Sequence, residues 1–463
     1  MSTAAGQATP VTDDNSGLPR PRRLWAIAAI SFGTALLVID GQIANVALPT
    51  IARDLGVTNA AITNVVTVYQ LVLVMLLFPF ASLGDRIGHR TFYQAGQVLF
   101  MAASAACWFA EDFVTLLALR GVQAVGAAMA LSVSAAMLRA IYPASRLGTG
   151  MGVNSVIVAS SAALAPTVGG YVVGNLEWQL VFVIAAPLAV VSLLLGRALP
   201  DPEKRDVPVE WTSGLWSAAT MLLLVGGMQV GTHGNVPLGV AIGAAGVIST
   251  VLLVKRERKR TSPVLPVDLL AKPVLGLSAL AAMCAFIAAS SMMISLPFRL
   301  EEAMGYDPQT VGLLLLPFPL TLLFVAPLAG WASDRIAATK LGVAGMALAI
   351  AGMALLAMLP NDPDSTAIAW RLALAALGFG MFFAPNSRLI IGRAPKDRAA
   401  AAGGLLSTSR LVGQTFAAVV VGILLANGMG TGPAPLYLAC ALAVVAALCS
   451  LARFAKRERV VKG

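Results

Sequence analysis

Charge is in short supply in this chain. Asp, Glu, Lys and Arg make up 12% of its 463 residues against 58% hydrophobic, and the mean hydropathy is +0.82. A water-facing surface cannot be built from so few charges, so the composition points to a membrane protein. Cysteine and histidine are scarce as well. The four cysteines, Cys107, Cys284, Cys440 and Cys449, lie inside apolar segments without CxxC or metal-ligand spacing, which leaves no disulfide framework and no metal site. His89 and His233 fall in loops on opposite sides of the membrane, where both are expected to be solvated and cannot act together. No nucleophile, metal or cofactor constellation is present, so nothing in the chain argues for an enzyme. The net charge of +10 would suggest nucleic acid in a soluble protein. Here the basic residues sit in short loops and at the C-terminus, so topology explains them and a nucleic-acid partner is not implied.

Long apolar runs are what the chain has in abundance. Fourteen segments of spanning length can be counted, at roughly 24–48, 61–83, 91–110, 112–138, 148–172, 179–199, 212–231, 236–254, 274–297, 309–330, 340–360, 366–387, 402–426 and 433–453. The polar stretch 1–23 precedes an apolar run too long for a signal-peptide core, so the first helix is expected to stay and the N-terminus to be cytoplasmic. With that orientation, 27 of the 32 Lys and Arg residues fall on the cytoplasmic side. Arg53 and Arg299 fall outside, and Arg120, Arg371 and Arg410 lie within helices. The positive-inside rule is obeyed, and the basic tail from Arg453 to Lys462 is cytoplasmic and in reach of anionic lipid. The loop after segment eight continues into Pro263–Leu270, which reads as a short amphipathic piece in the interface.

The chain also repeats itself. Leu48-Pro49 matches Leu296-Pro297, Asp85-Arg86-Ile87 matches Asp334-Arg335-Ile336, and Arg120 matches Arg371, at offsets of 248, 249 and 251. Two homologous six-helix halves, 24–199 and 274–453, with a linker 200–273 that carries two extra helices, form the architecture of a rocking transporter. The tails are 1–23 and 454–463. The two extra helices carry no charge in their apolar cores and read as scaffold.

Asp40 stands apart from this symmetry. It lies about 24 Å along the first segment, in a slab whose hydrocarbon core is about 30 Å thick. A carboxylate there costs about 2.5–3.5 kcal/mol, and such acids mark ion or proton paths. Its repeat partner is Ala288, so the scaffold does not require it.

Four motifs follow in order. The stretch Asp40-Gly41-Gln42-Ile43-Ala44-Asn45-Val46-Ala47-Leu48-Pro49 comes first, and Ala81-Ser82-Leu83-Gly84-Asp85-Arg86-Ile87-Gly88-His89-Arg90 second. The third is Arg120-Gly121-Val122-Gln123-Ala124-Val125-Gly126, and the fourth is Gly152 followed by Ser161-x-x-x-Ala165-Pro166-Thr167-Val168-Gly169-Gly170. Together they resemble the major facilitator superfamily, in particular its fourteen-helix branch of drug:proton antiporters, over nearly the whole chain. The departures are Gln42 for a threonine, Ala81 for a glycine, and Ser161 and Ala165 for two further glycines.

The resemblance implies an all-α integral membrane protein with the major facilitator fold. It implies a proton-coupling pair, Asp40 and Arg120, in which the arginine biases the acid. It places a cytoplasmic gate at Asp85, Arg86, Gly88 and Arg90 with Asp334 and Arg335, where Asp85 would face a helix N-terminus across the two halves. It makes Gly152, Ser161, Ala165, Pro166, Gly169 and Gly170 an antiporter motif whose small residues let helices slide. Polar candidates for the cavity are Gln42, Asn45, Tyr69, Gln70, Gln123 and Asn154. The expected function is proton-driven export of lipophilic or amphipathic small molecules from a bacterial inner membrane by a monomer, with no cofactor. A proton symporter, an exporter of one metabolite and a membrane receptor are the alternatives.

Overall fold

Hydrocarbon offers no partner for a peptide N–H or C=O, so a chain this apolar has to close its hydrogen bonds within each segment, as helix. The computed structural model describes residues 18–142, 147–200, 211–232, 235–258, 267–333, 335–360, 363–394 and 399–461. Among them, helix is the only regular secondary structure. The leading group is α1 (Arg20–Asp54), the single turn α2 (Asn59–Ile62), α3 (Asn64–Ile87), α4 (His89–Cys107), α5 (Phe113–Ile141), α6 (Leu147–Asn175), α7 (Leu180–Val183) and α8 (Ala186–Leu195). Then come α9 (Trp211–Thr232), α10 (Val236–Glu257) and the turn α11 (Val267–Leu270). The trailing group is α12 (Pro273–Phe298), α13 (Pro308–Leu315), α14 (Pro317–Ala332), α15 (Ala338–Ala357), α16 (Ser365–Arg393), α17 (Ala399–Ala426) and α18 (Ala434–Val461).

Each of the fourteen apolar segments lies on helix. The sixth and tenth are each split in two, before Pro187 and at Pro317, because a proline cannot donate to the carbonyl four residues back. Twelve helical stretches among the described residues are long and apolar enough to cross a membrane; α4 and α6 are helical but not among those twelve. Asp112 and Asp307 start α5 and α13 by accepting from the backbone N–H of Thr115 at 2.9 Å and of Thr310 at 3.0 Å. Large apolar side chains such as Leu194, Val240, Phe324 and Leu328 remain exposed, an outer surface suited to lipid.

The leading helices pack on one another, α1 on α6 and α8, and α5 on α3 and α4. The trailing helices do likewise, α12 on α17 and α18, and α16 on α14 and α15. The groups meet along three seams: α3 with α17, α6 with α13 and α14, and α1 with α12. The hairpin α9–α10 lies against α3 and α17 at the first seam, tied by Gln229 Nε2 to Asn64 Oδ1 at 2.5 Å. The turn α11 packs on the bundle through a single residue and leaves Asp268 and Leu270 exposed. Its Leu269 is fully buried in a cluster with Leu275, Ile390 and Ala402. Below, the basal end is the one holding the start of α1 and the α3–α4 connection, and the distal end holds the α1–α3 connection.

Candidate transport pathway and its buried charges

Asp40 lies twenty residues beyond the start of α1 and is fully buried, as is Arg120 of α5 at 1% exposure. Arg120 Nη1 donates to both Asp40 oxygens at 3.0 Å and to Gln123 Oε1 at 2.5 Å. Gln123 Nε2 in turn donates to Asp40 Oδ1 at 3.3 Å and to Ser104 Oγ of α4 at 2.6 Å. The guanidinium lies 4.2 Å from the Tyr69 ring centroid and 5.0 Å from that of Phe182, in cation–π range of both. One acid, one base, two aromatic faces and a relaying amide thus form a single cluster from α1, α3, α4, α5 and α7. A Cβ added at neighbouring Gly41 would meet nothing within 4 Å, so the cluster sits beside open space.

The cavity candidates divide accordingly. Tyr69 and Gln123 serve the ion pair. Asn45 Nδ2 reaches Gln42 Oε1 at 3.5 Å, and the buried oxygens Asn45 Oδ1 and Gln70 Oε1 have no hydrogen-bond partner, so both can accept from a ligand or water. The side chain of Asn154 and the surroundings of Gly152 lie outside the described residues.

At the basal end, Gly88 has φ 113°, a conformation that favours glycine and lets α3 turn directly into α4. Asp85 Oδ1 pairs with His89 Nε2 at 2.6 Å, within its own group of helices and not across the seam. That pairing also corrects the expectation of a solvated His89, whose side chain is 12% exposed. Arg86 is exposed and Arg90 half-buried; Arg335 stacks on Trp331 at 3.8 Å; Asp334 and His233 lie outside the described residues.

The distal end is closed across the two groups. Arg53 Nη2 pairs with Glu301 Oε2 at 2.9 Å, Asn59 Nδ2 meets both Glu302 oxygens at 2.6 and 2.7 Å, and Asn175 Nδ2 meets Gln309 Oε1 at 3.2 Å. The motif in α6 lies here. Gly169 faces α1, where a Cβ would come within 2.8 Å of Ile43. Gly170 faces α13, where a Cβ would come within 2.6 Å of the Pro308 carbonyl oxygen. Ala165 is fully buried, Pro166 is buried, and Ser161 is 5% exposed. The small residues therefore serve close backbone approach on two faces of one helix.

Four buried charges went unrecognised in the sequence, the first being Arg299, placed outside there yet 7% exposed and donating to the carbonyls of Leu356 and Ala357. Glu301 reads there as part of an outer loop, yet is 7% exposed. Glu257, at the end of α10, is fully buried and accepts from Ser213 Oγ at 2.7 Å. Arg453, counted with the basic tail, is 4% exposed and donates to Ser278 Oγ and Asn386 Oδ1, both at 2.6 Å. The position of Arg453 at the edge of an apolar run was the available signal.

A bundle of apolar helices in two groups, tied together at one end, with an ion pair buried inside one of the groups, defines a membrane transporter. The chain belongs to the Major Facilitator Superfamily, whose family model matches residues 30–279 and 278–463. It is 38% identical to "Uncharacterized transporter YebQ" of Escherichia coli strain K12, over 94% of this chain and 96% of that protein. It is 28% identical to "Multidrug efflux pump LfrA" of Mycolicibacterium smegmatis, over 87% and 81% of the two chains. It is 26% identical to "Riboflavin transporter RibZ" of Clostridioides difficile, over 84% and 85%. Its fold matches an inward-facing, unoccupied bacterial homolog of the human lysosomal transporter Spinster with a TM-score of 0.69 at 16% identity, over 95% and 99% of the two chains.

Proposed function

We propose that the protein is a proton-coupled antiporter that exports amphipathic small molecules across a bacterial inner membrane by alternating access. The observation that carries this reading is the Asp40–Arg120 pair, fully buried among helices of the leading group and matched by Ala288 at the acid's repeat position in the trailing group. Fourteen spans are proposed, with both termini and the basal end cytoplasmic. The halves 24–199 and 274–453 rock about the seams, and 200–273 forms the connecting linker. A proton arriving at Asp40 neutralises the acid and releases Arg120, so the cluster rearranges; its departure restores the pair. Asp85, Arg86, Gly88, Arg90, Asp334 and Arg335 would then close the basal end when the distal end opens. The relative with a multidrug efflux name supports export of such compounds. The riboflavin transporter among the relatives favours a second reading, a carrier of one metabolite.

The test is substrate-dependent proton release from the purified protein in detergent, read against a panel of lipophilic cations and organic anions. Release by the native chain and its loss in Asp40→Asn is the expected result. Unchanged release in that variant would remove Asp40 from the coupling step.

A further inference from the structure

We infer that Arg410 is a recognition site for the anionic group of the transported molecule, which makes the substrate class amphipathic organic anions, carboxylates first among them. The inference rests on the export reading above and names the substrate's charge. Residues 403, 407, 410, 414, 417 and 421 succeed one another by four and three and so share one face of α17. At its distal end this face is shut. Ala417 and Val421 are fully buried in the cluster to which α1 contributes Ile43, Ala47 and Leu48, so the face points at the other group of helices.

Toward the basal end the same face opens. A Cβ on Gly403 would meet nothing within 4 Å, and Ser407, Arg410 and Gln414 are half-buried. On neighbouring faces, Leu411 and Val412 pack in the cluster with Leu73 of α3, and Gly413 lies against the backbone of α12. Arg410 therefore points between α3 and α12.

What sets Arg410 apart is the lack of a partner. Arg120 has Asp40, Arg299 donates to the carbonyls of Leu356 and Ala357, Arg371 donates to that of Ala367, and Arg453 has Ser278 and Asn386. Arg410 makes no hydrogen bond or ion pair among the described residues, and its Nε is buried without an acceptor. It lies eight residues beyond Ala402, about 12 Å along the helix. A charge at the bilayer centre costs several kcal/mol on insertion scales, and intramembrane charges are paired or face a water-filled cavity. Since Asp40 is already neutralised by Arg120, Arg410 leaves the pathway net positive. A planar guanidinium with free N–H groups matches a carboxylate or sulfonate in two parallel hydrogen bonds.

The test is equilibrium dialysis of the full chain in phosphatidylcholine nanodiscs, with empty nanodiscs as blank. Three probes of one shape are compared: 2-naphthoate, neutral 2-naphthamide and the cation (2-naphthylmethyl)trimethylammonium. The native protein should hold naphthoate about tenfold or more tighter than the amide, the size of a charge-assisted hydrogen bond. Arg410→Gln should erase that preference and leave amide binding unchanged, and Arg410→Lys should keep part of it. Equal binding of the three probes, a preference for the cation, absence of naphthoate binding, or a naphthoate preference that survives in Arg410→Gln overturns the assignment. Adding phosphatidylglycerol separates the two sources of an anion: competition with naphthoate would give the guanidinium to a lipid headgroup and also overturn it. Dialysis reads neither direction nor coupling, so proton release that is indifferent to Asp40 would remove the antiport reading and leave this site standing.

Discussion

Asp40 and Arg120 make each other tolerable in the membrane. Losing one partner of a buried ion pair leaves the other charge unpaired and costs about 3–5 kcal/mol. Asp40→Asn keeps hydrogen-bonding capacity but strands the guanidinium between Tyr69 and Phe182. The variant is expected to melt well below the native protein in detergent, and Asp40→Asn combined with Arg120→Gln should recover most of that loss. A double variant no more stable than the single one would mean that the charges do not act as a pair. Asp307 works on a smaller scale. Its hydrogen bonds to the side chain and backbone of Thr310 hold its carboxyl below the usual carboxylate range. Because the folded value is the lower one, the cap stabilises above the unfolded pKa and fades as pH falls through the folded one. Asp307→Ala should cost about 1 kcal/mol at neutral pH, and the difference from the native chain should shrink in melts taken at acidic pH.

At the scale of the helix, α6 and α13 are held together by an absence of side chains. The backbone carbonyl of Pro166 lies 2.5 Å from where a Cβ on Gly312 would sit, and Gly170 Cα lies 3.0 Å from it. A side chain there cannot be accommodated without parting the helices. Gly312→Val is therefore expected to favour the distally open arrangement. A cysteine placed at Val172, which is 1% exposed, should be labelled several-fold faster by a membrane-impermeant maleimide in the Gly312→Val background. Equal labelling rates would show that the contact can be relieved without opening. The hairpin α9–α10 also reads differently in three dimensions. Its charge-free apolar core suggests padding, but α9 touches a helix of each group, where it can restrain their relative motion.

For the whole molecule, the distal closure falls on a symmetry relation. Arg53 and Glu301 are 248 residues apart, the same offset that relates Leu48 to Leu296, so equivalent positions of the two repeats meet and carry opposite charges. Glu301→Arg would set two cations face to face and favour opening, whereas Arg53→Glu together with Glu301→Arg should restore closure. Because Arg53 is 54% exposed, the change expected in a labelling assay at Val172→Cys is a few-fold shift and not a trap. Charge also decides the driving force. If one proton enters for each organic monoanion exported, two positive charges in effect move inward. A membrane potential negative inside then contributes about 4.6 kcal/mol per 100 mV. Collapsing the potential in proteoliposomes while keeping the pH gradient should slow naphthoate export strongly; export indifferent to the potential would contradict that stoichiometry.

Hydropathy, the repeat and the isolated acid at Asp40 were legible in the chain because each depends on composition along the sequence. Hydrocarbon forces every apolar run into helix wherever its neighbours lie, so the fourteen segments and their helical state could be read one at a time. Which charges face one another depends instead on helix rotation and on contacts across hundreds of residues. Asp40 and Arg120 could be linked through the family resemblance, but the seating of Gln123 and Ser104 around them belongs to packing. The pairing of Asp85 with His89, the burial of Glu301, and the solitary position of Arg410 came from the tertiary structure alone. A guanidinium reads the same in a sequence whether it is paired, solvated or waiting for an anion, and only the groups that surround it in space make the difference.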